Sequence, residues 1–350
     1  MMKYDLVVVG SGPAGCRTAE IVAREGYKVL VVEEHSEVGI PTQCTGFVSK
    51  KIGEIPETII VNKIPRAKFI SNTSSFELKA KEPMQLMDRH GFDVFRANLA
   101  KGVGVEFQFN TRFVGYENRK VITTKGVFET EMLVGADGPN STVAKIFNLK
   151  LPENQLFLIQ VRARGDFDST VAELYFGSDV APGNFAWVIP ESKEIARVGL
   201  MTAVHPGNYF EEFLKKRLGS KINFSDRLGD VIRYGLIEKS VADGAILVGD
   251  AAAQVKPFSA GGLVYGQICA QIAGESVVKA FQKNDFSEKF FKQNYENKWK
   301  RKIGKGIKRG MLMKKVFEKI QDKPLAFSAI KRLGISSLAE FFDVDFIGKY

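Results

Sequence analysis

The stretch YDLVVVGSGPAGCRTAE, residues 4–20, decides the fold. Residues 4–9 are an apolar, β-prone run, residues 13–25 carry a helical pattern, and Lys28 to Glu33 form a second β-rich run, so the chain opens as a βαβ unit. Gly10, Gly12 and Gly15 make a GxGxxG turn between strand and helix, and an acid, Glu33, ends the second strand 18 residues after Gly15. Gly10 permits the tight turn, Gly12 lets a pyrophosphate approach the backbone, and Gly15 lets helix and strand pack closely. The helix N-terminus supplies oriented N–H donors. Glu33 would accept a ribose hydroxyl and repel a 2′-phosphate. Gly102 and Gly104 lack a preceding strand, and Gly304, Gly306 and Gly310 lie in a basic helical stretch, so one dinucleotide is expected rather than two.

Outward from this unit, residues 57–87 change to short alternating stretches, Ala67 to Ser71 and Ser75 to Ala80, bounded by Pro65, Asn72 and Pro83, which reads as antiparallel strands. The chain returns to the first lobe through residues 92–130 and the apolar strand Met132 to Ala136. A second β-rich block has strands near Leu156 to Arg164, Val171 to Phe176, Asn184 to Ile189 and Ala196 to Met201, then a helix at Tyr209 to Leu218. Ala245 to Gly249 is a buried strand, and Gly261 to Gln282 a long helix rich in Ala, Gly and Val. After Asp285 the chain reads as helical, basic and aromatic to its end.

The 350 residues, 45 % apolar with 27 Phe, suit a globular protein of two or three lobes and exclude a fibrous or disordered chain. The net charge of +10 is concentrated: Lys289 to Lys319 holds twelve basic residues against Glu296 and Glu318, an excess equal to the whole. This points to an anionic partner. The segment from Phe290 and Phe291 through Trp299, Ile303, Ile307, Met311 and Met313 suits a membrane-surface helix, and equally an ordinary solvated basic face. Nucleic acid is not expected, because aromatics are not interleaved on a β-platform. Cys16, Cys44 and Cys269 are odd in number and far apart, which leaves neither a disulfide framework nor a metal knuckle and fits a reducing compartment. His35, His90 and His205 lack metal-ligand spacing. No secretory leader and no bilayer-spanning stretch is read, so a cytoplasmic location is expected, with any membrane contact peripheral on the cytoplasmic face.

Two later segments, LVGADGPNS (133–141) and ILVGDAAAQVKPFSAGGLVYG (246–266), each end a buried strand with an acid beside a Gly. Asp250 at a strand terminus can accept hydrogen bonds from a ribityl chain, and Gly261-Gly262 opening a helix can set N–H groups against an electron-rich ring edge, as in reduced flavin. With Pro41-Thr42-Gln43-Cys44-Thr45-Gly46 and Phe185-Ala186-Trp187-Val188-Ile189-Pro190, these segments make residues 4–283 resemble the FAD family of aromatic-ring hydroxylases, flavin halogenases and geranylgeranyl reductases. Within it the chain is most similar to the archaeal-type digeranylgeranylglycerophospholipid reductases, through their PxxC segment, their YxWxFP strand and the GDAAAQVKPxxxGG run.

The resemblance implies an α/β, two-lobed α+β chain: a Rossmann-like FAD-binding domain (1–56, 88–150 and 240–285), a β-rich substrate-binding domain (57–87 and 151–239) and a C-terminal basic helical segment (286–350). It implies that Ala14 and Gly15 approach the pyrophosphate, Glu33 the adenosine ribose, Arg96 the phosphates with Arg89 as a rival, and Val114 the adenine by its backbone. Asp250, Gly262 and Leu263 would meet the flavin end, with Cys44 and Gly46 beside the ring. Asp137 would hold the DG turn. The implied activity is reduction of C=C bonds in geranylgeranyl chains of a lipid or a free diphosphate, with NAD(P)H or ferredoxin as electron donor. The alternative within the fold is a flavin monooxygenase or halogenase. Cys44 is the candidate beside the proton path, or a small buried filler. Phe185 and Trp187 share a strand face and either wall a prenyl pocket or fill a core. Phe185 stands where the family has Tyr, and Gly199-Leu200-Met201 lacks the second Gly of the family GxG.

Overall fold

The computed structural model describes residues 2–219 and 223–322; the part of the expected C-terminal helical segment from residue 323 onward lies outside the described residues. The chain weaves between two sheets. It opens with β1 (Lys3–Val9), α1 (Pro13–Arg24) and β2 (Val29–Val32), then leaves for the second sheet with β3 (Phe47–Val48), β4 (Ile60–Ile70) and β5 (Ser75–Met87). It returns through α2 (Arg89–Gly102), β6 (Glu106–Gln108), β7 (Phe113–Glu117), β8 (Lys120–Thr123), β9 (Gly126–Gly135) and α3 (Thr142–Ile146). A second excursion makes β10 (Gln155–Arg164), β11 (Val171–Phe176), β12 (Phe185–Pro190), β13 (Ile195–Thr202), α4 (Pro206–Leu218) and β14 (Phe224–Arg233). The chain closes with β15 (Val241–Ala242), β16 (Ala245–Leu247), α5 (Leu263–Lys283), α6 (Glu288–Phe291) and α7 (Asn297–Ile320).

In the first sheet β16, β9, β1, β2 and β6 run side by side and parallel, with β15 at one edge and β7–β8 turning off β9. A parallel sheet is covered on both faces, which is why residues 6–9 of β1, 29–32 of β2 and 132–134 of β9 read as continuous Val, Leu and Met. The second sheet has the order β14-β10-β13-β12-β11-β4-β5-β3 and is antiparallel except where β11 meets β4. This is the α/β two-lobed architecture with a Rossmann-like lobe that the sequence implies.

Four details depart from the sequence reading. Pro65 and Pro83 lie inside β4 and β5 instead of bounding them; the ladder shifts register between Ile64 and Arg66, and such irregularities accommodate a residue without an N–H. β3 belongs to the second sheet, although residues up to 56 were assigned to the first lobe. β14 has no counterpart in the sequence reading: half of its residues are exposed and one is buried, so this edge strand has little apolar alternation. The aromatic C-terminal segment is not a separate layer, because Phe290, Phe291, Tyr295, Trp299, Ile303 and Ile307 are buried in the core of the first sheet.

Helices α1 and α5 stack on one another across small residues. Gly274 on α5 lies where an added Cβ would sit 2.7 Å from the Ile21 Cβ, an atom fixed to the α1 backbone. Gly274→Ala is therefore expected to lower unfolding stability by about 1–3 kcal/mol through overpacking, measured by urea denaturation.

Candidate functional site: a glycine-rich cleft and an apolar cavity

The β1–α1 turn opens into a cleft of about 700 Å³. Gly10 has φ +100° and a Cβ there would lie 2.4 Å from the Ala136 carbonyl oxygen; a Cβ on Gly15 would lie 2.3 Å from the Gly10 oxygen. Both positions exclude a side chain. Gly12, by contrast, would carry its Cβ into open space, and no side chain caps α1, so the first-turn N–H groups face the cleft. Ala14 packs its methyl against Gly249, where a Cβ would meet it at 3.0 Å.

Glu33 lines the cleft with its carboxylate engaged four times: Oε2 accepts from Ser11 N at 2.8 Å and Ser11 Oγ at 2.7 Å, and Oε1 accepts from His35 N at 3.0 Å and pairs with His35 Nδ1 at 2.7 Å. Burial works against ionisation, but these donors hold the carboxyl below its usual range. With its four lone-pair sites occupied, it can receive a further hydroxyl only by exchange with a partner such as Ser11 Oγ.

The two arginines are separated by the structure. Arg89 lines the cleft, and its Nη2 pairs with Asp93 Oδ2 at 3.1 Å. Arg96 is buried in an ion pair with Glu20 between α2 and α1, with Nε unpartnered, and is not among the cleft-lining residues. Val114 is exposed on β7; its neighbour Phe113 is the residue that reaches the cleft. Asp137 accepts from Ser141 Oγ at 2.6 Å and from the N–H groups of Thr142 and Val143, so it caps α3.

Beyond β16, the turn Gly249–Ala252 presents Asp250, whose side-chain oxygens receive no hydrogen bond from the described residues. A Cβ on Gly262 would lie 2.7 Å from Asp250 Oδ1, so the glycine pair that opens α5 is what allows this approach. Leu263 starts α5 and packs against the apolar cluster that includes Val48, Met87 and Phe92. Burial pushes the Asp250 carboxyl up. An unpartnered acceptor of this kind fits a polyhydroxylated ligand. Asp230, on strand β14, lines the cleft, whereas Asp250 is not among its lining residues; burial first and the charge of Asp250 second raise the Asp230 carboxyl from 3.8 to about 7.

The segment after Pro41 runs from this cleft to a second cavity: Gln43 lines the cleft, Phe47 lines the cavity, and Cys44 and Gly46, between them in the chain, are among the lining residues of neither. Gly46 has φ +73° and no room for a Cβ, which would lie 2.6 Å from the Met87 oxygen; its N–H points to Cys44 Sγ at 3.4 Å. Cys16 and Cys269 are fully buried, and burial raises both thiols, so they serve packing. The cavity, of about 360 Å³, is walled by Phe69, Phe176, Phe185 and Phe258, whose rings stand 5.5–6.1 Å apart along the row, and its rim carries Lys50, Lys51, Lys79, Lys81 and Arg309. Phe185 faces this space. Trp187 does not line it; its Nε1 donates to Gln160 Oε1 at 3.1 Å. Among the described residues no group of His, Cys, Asp and Glu is placed to hold a metal ion.

A family model described as the geranylgeranyl reductase catalytic domain matches residues 157–228, and one for an NAD(P)-binding Rossmann-like domain matches residues 8–47. The digeranylgeranylglycerophospholipid reductase of Methanocaldococcus jannaschii is 30% identical over 92% of this chain and 88% of its own length. A second enzyme of that name from Methanothermobacter thermautotrophicus is 31% identical over 93% and 90%. The chain belongs to the geranylgeranyl reductase family. A solved geranylgeranyl bacteriochlorophyll reductase-like protein of Thermoplasma acidophilum superposes with a TM-score of 0.84 at 25% identity, covering 91% of this chain and 88% of that one. A flavin-dependent brominase superposes with a TM-score of 0.73 at 17% identity over 98% of this chain and 95% of its own, a likeness of fold alone.

Within this reductase the family tryptophan, Trp187, is held by a glycine: a Cβ on Gly199 would lie 2.5 Å from the indole Cζ2. Sequence reasoning missed Asp230, because nothing in an exposed edge strand marks one carboxylate among its polar neighbours. A carboxyl raised in the folded protein keeps its proton after the unfolded chain has lost it, so the folded state binds more protons between about pH 4 and about pH 7, and stability falls as pH rises through that window. Asp230→Asn is expected to flatten this fall, gaining on wild type between pH ~5 and ~8 in urea denaturation. Equal pH slopes would show that Asp230 is not its source.

Proposed function

We propose that this geranylgeranyl reductase uses FAD to saturate C=C bonds of a geranylgeranyl chain held in the phenylalanine-walled cavity, with the lipid phosphate on the lysine rim. The observation that carries the reading is one short segment that runs from a glycine-rich cleft to an apolar, basic-rimmed cavity, with Gln43 lining the first and Phe47 the second. The first turn of α1 with Gly12 would hold the pyrophosphate, the Ser11–Glu33 pair the adenosine ribose, Asp250 the hydroxylated linker, and the opening of α5 at Gly262 and Leu263 the ring edge. Arg89 is the arginine placed on the cleft side. Bound and reduced, FAD would supply a hydride, two electrons carried with one proton, to one alkene carbon, and a second proton delivered to the other carbon completes the saturation.

Such an alkene is a poor acceptor until a proton reaches one of its carbons, so the protein has to keep the chain dry and fix it across the ring edge. The aromatic wall would do the first; the segment with Cys44 and Gly46, which links cleft to cavity along the chain, would do the second, with the Cys44 thiol as the candidate beside the proton path. Charge stays at the rim because burying an unpaired ion is costly. Lys50 is paired there with Glu82 at 3.6 Å, while Lys79 and Lys81 are exposed on β5.

The outward face of α7 supports delivery from an anionic lipid surface: Arg301, Lys305, Lys308, Lys315 and Lys319 are exposed beside Leu312 and Val316, and Arg309 on the same helix joins the cavity rim. No helix among the described residues is long and apolar enough to cross a membrane.

Anaerobic mixing of dithionite-reduced protein with a geranylgeranyl phospholipid tests the reading: stoichiometric saturation seen by mass spectrometry supports it, and strict dependence on oxygen removes it. Lys79→Ala with Lys81→Ala should raise KM about 10-fold for phosphate-bearing substrates and leave kcat unchanged, the pattern of lost uniform binding. The same change should be silent on a prenyl alcohol.

A further inference from the structure

Gln160 on β10 is buried, and its Oε1 accepts two hydrogen bonds, from Thr45 Oγ1 at 2.7 Å and from Trp187 Nε1 at 3.1 Å. Thr45 follows Cys44 in the segment between cleft and cavity, and Trp187 stands two residues from Phe185 on β12. One amide oxygen therefore ties the cofactor-side loop to the strand that walls the substrate cavity. The surroundings are built for this contact. Gln160 faces Gly199 across the β10–β13 ladder, and the indole lies over that glycine, where a Cβ would meet the ring at 2.5 Å and the Ile159 oxygen at 2.7 Å. The β10–β14 ladder shifts register between Gln160 and Arg162.

The loop is gripped from a second direction. Arg197 on β13 donates from Nη1 to the carbonyls of Thr45 and of Met87, the latter at 3.0 Å, while its Nε pairs with Glu191 at 2.8 Å. Arg197 satisfies backbone oxygens, whereas Gln160 holds a side chain of the loop and the tryptophan at once. An apolar residue at 160 would leave both donors unpaired, because neither has another partner among the described residues.

We propose that Gln160 is a positioning residue for chain reduction, fixing Cys44 and Gly46 relative to the cavity wall by holding Thr45 and Trp187 on one acceptor. The proposal rests on the reading that the chain is reduced at this junction, and the test separates the two. FAD-loaded wild type, Gln160→Met, Gln160→Glu and Thr45→Val are compared by hydrogen exchange of residues 42–47 and by anaerobic single-turnover reduction of a geranylgeranyl phospholipid.

Exchange in the loop should quicken about 5-fold in Gln160→Met and Thr45→Val, as for one neutral hydrogen bond lost, and return toward wild type in Gln160→Glu, which keeps the acceptor. Chain reduction in Gln160→Met should slow by roughly 10- to 100-fold at unchanged substrate affinity, as for an ångström-scale misplacement. Adding Thr45→Val to Gln160→Met should cost nothing further, because both act through one contact. Unchanged exchange in both single variants overturns the proposal, and so does a quickened loop with an unchanged reduction rate. If wild type reduces no prenyl chain, the functional reading fails and Gln160 loses its assigned role in that reaction. Should Gln160→Met not fold, the nearly isosteric Thr45→Val carries both measurements.

Discussion

Each time the chain passes from one sheet to the other its backbone leaves both ladders, and the carbonyls stranded at the seam have to be paired or pay their desolvation. One side chain meets part of this demand. Arg197 serves Thr45 and Met87, at the outgoing and returning crossings. The outgoing crossing is also the segment that runs from the cleft at Gln43 to the apolar cavity at Phe47. A site formed where two sheets abut can be polar on one side and apolar on the other, because each sheet brings its own face. Its accuracy then depends on the few residues that hold the sheets in register.

The first lobe was legible because its signals are local. A glycine that must be a glycine, as at position 10 or 15, is fixed by atoms a few residues away or one strand over, and the apolar runs of a parallel sheet announce themselves. The GD turn and the glycines at 261 and 262 were legible for the same reason. What escaped reading depends on contacts between distant segments. Arg89 and Arg96 lie seven residues apart on α2, about two turns of one helix, and sequence alone cannot say which end faces the cleft. Asp230 acquires its meaning only from Asp250 and from the burial of a strand end that looks polar in isolation. Gln160 reads as one more residue of an alternating strand until Thr45 arrives from more than a hundred residues away.

The C-terminal helices show how one pattern can serve two environments. Apolar residues at helical spacing beside a basic face suit a membrane surface and suit a helix packed on its own protein equally well. Here the apolar face is consumed internally. Trp299 Nε1 donates to Ser240 Oγ at 3.0 Å, Glu296 accepts from the Ser240 N–H, and Tyr295 donates to the Leu247 carbonyl. Gln254 then links Tyr295 to the Gly249 N–H, so the π-helical turn Lys292–Glu296 braces the turn that presents Asp250. Part of the basic cluster is left on the outward face of α7, where Arg301, Lys305, Lys308, Lys315 and Lys319 are exposed, whereas Lys314 is buried and donates to the Gly183 carbonyl at 2.8 Å.

The division of labour between rim and wall follows from what an amphiphile can and cannot give up. Burial of a prenyl chain is favourable by about 0.8 kcal/mol for each methylene-sized unit removed from water, whereas a phosphate drawn into the same cavity would lose hydration that phenylalanine rings cannot replace. On the proposed placement the chain would enter tail first and stop when its head reached Lys79 and Lys81. Affinity would then come chiefly from the wall, and the rim would fix depth. Depth would select which double bond meets the Cys44 segment, so the distance from rim to that segment, more than any group on it, would govern where along the chain reduction takes place.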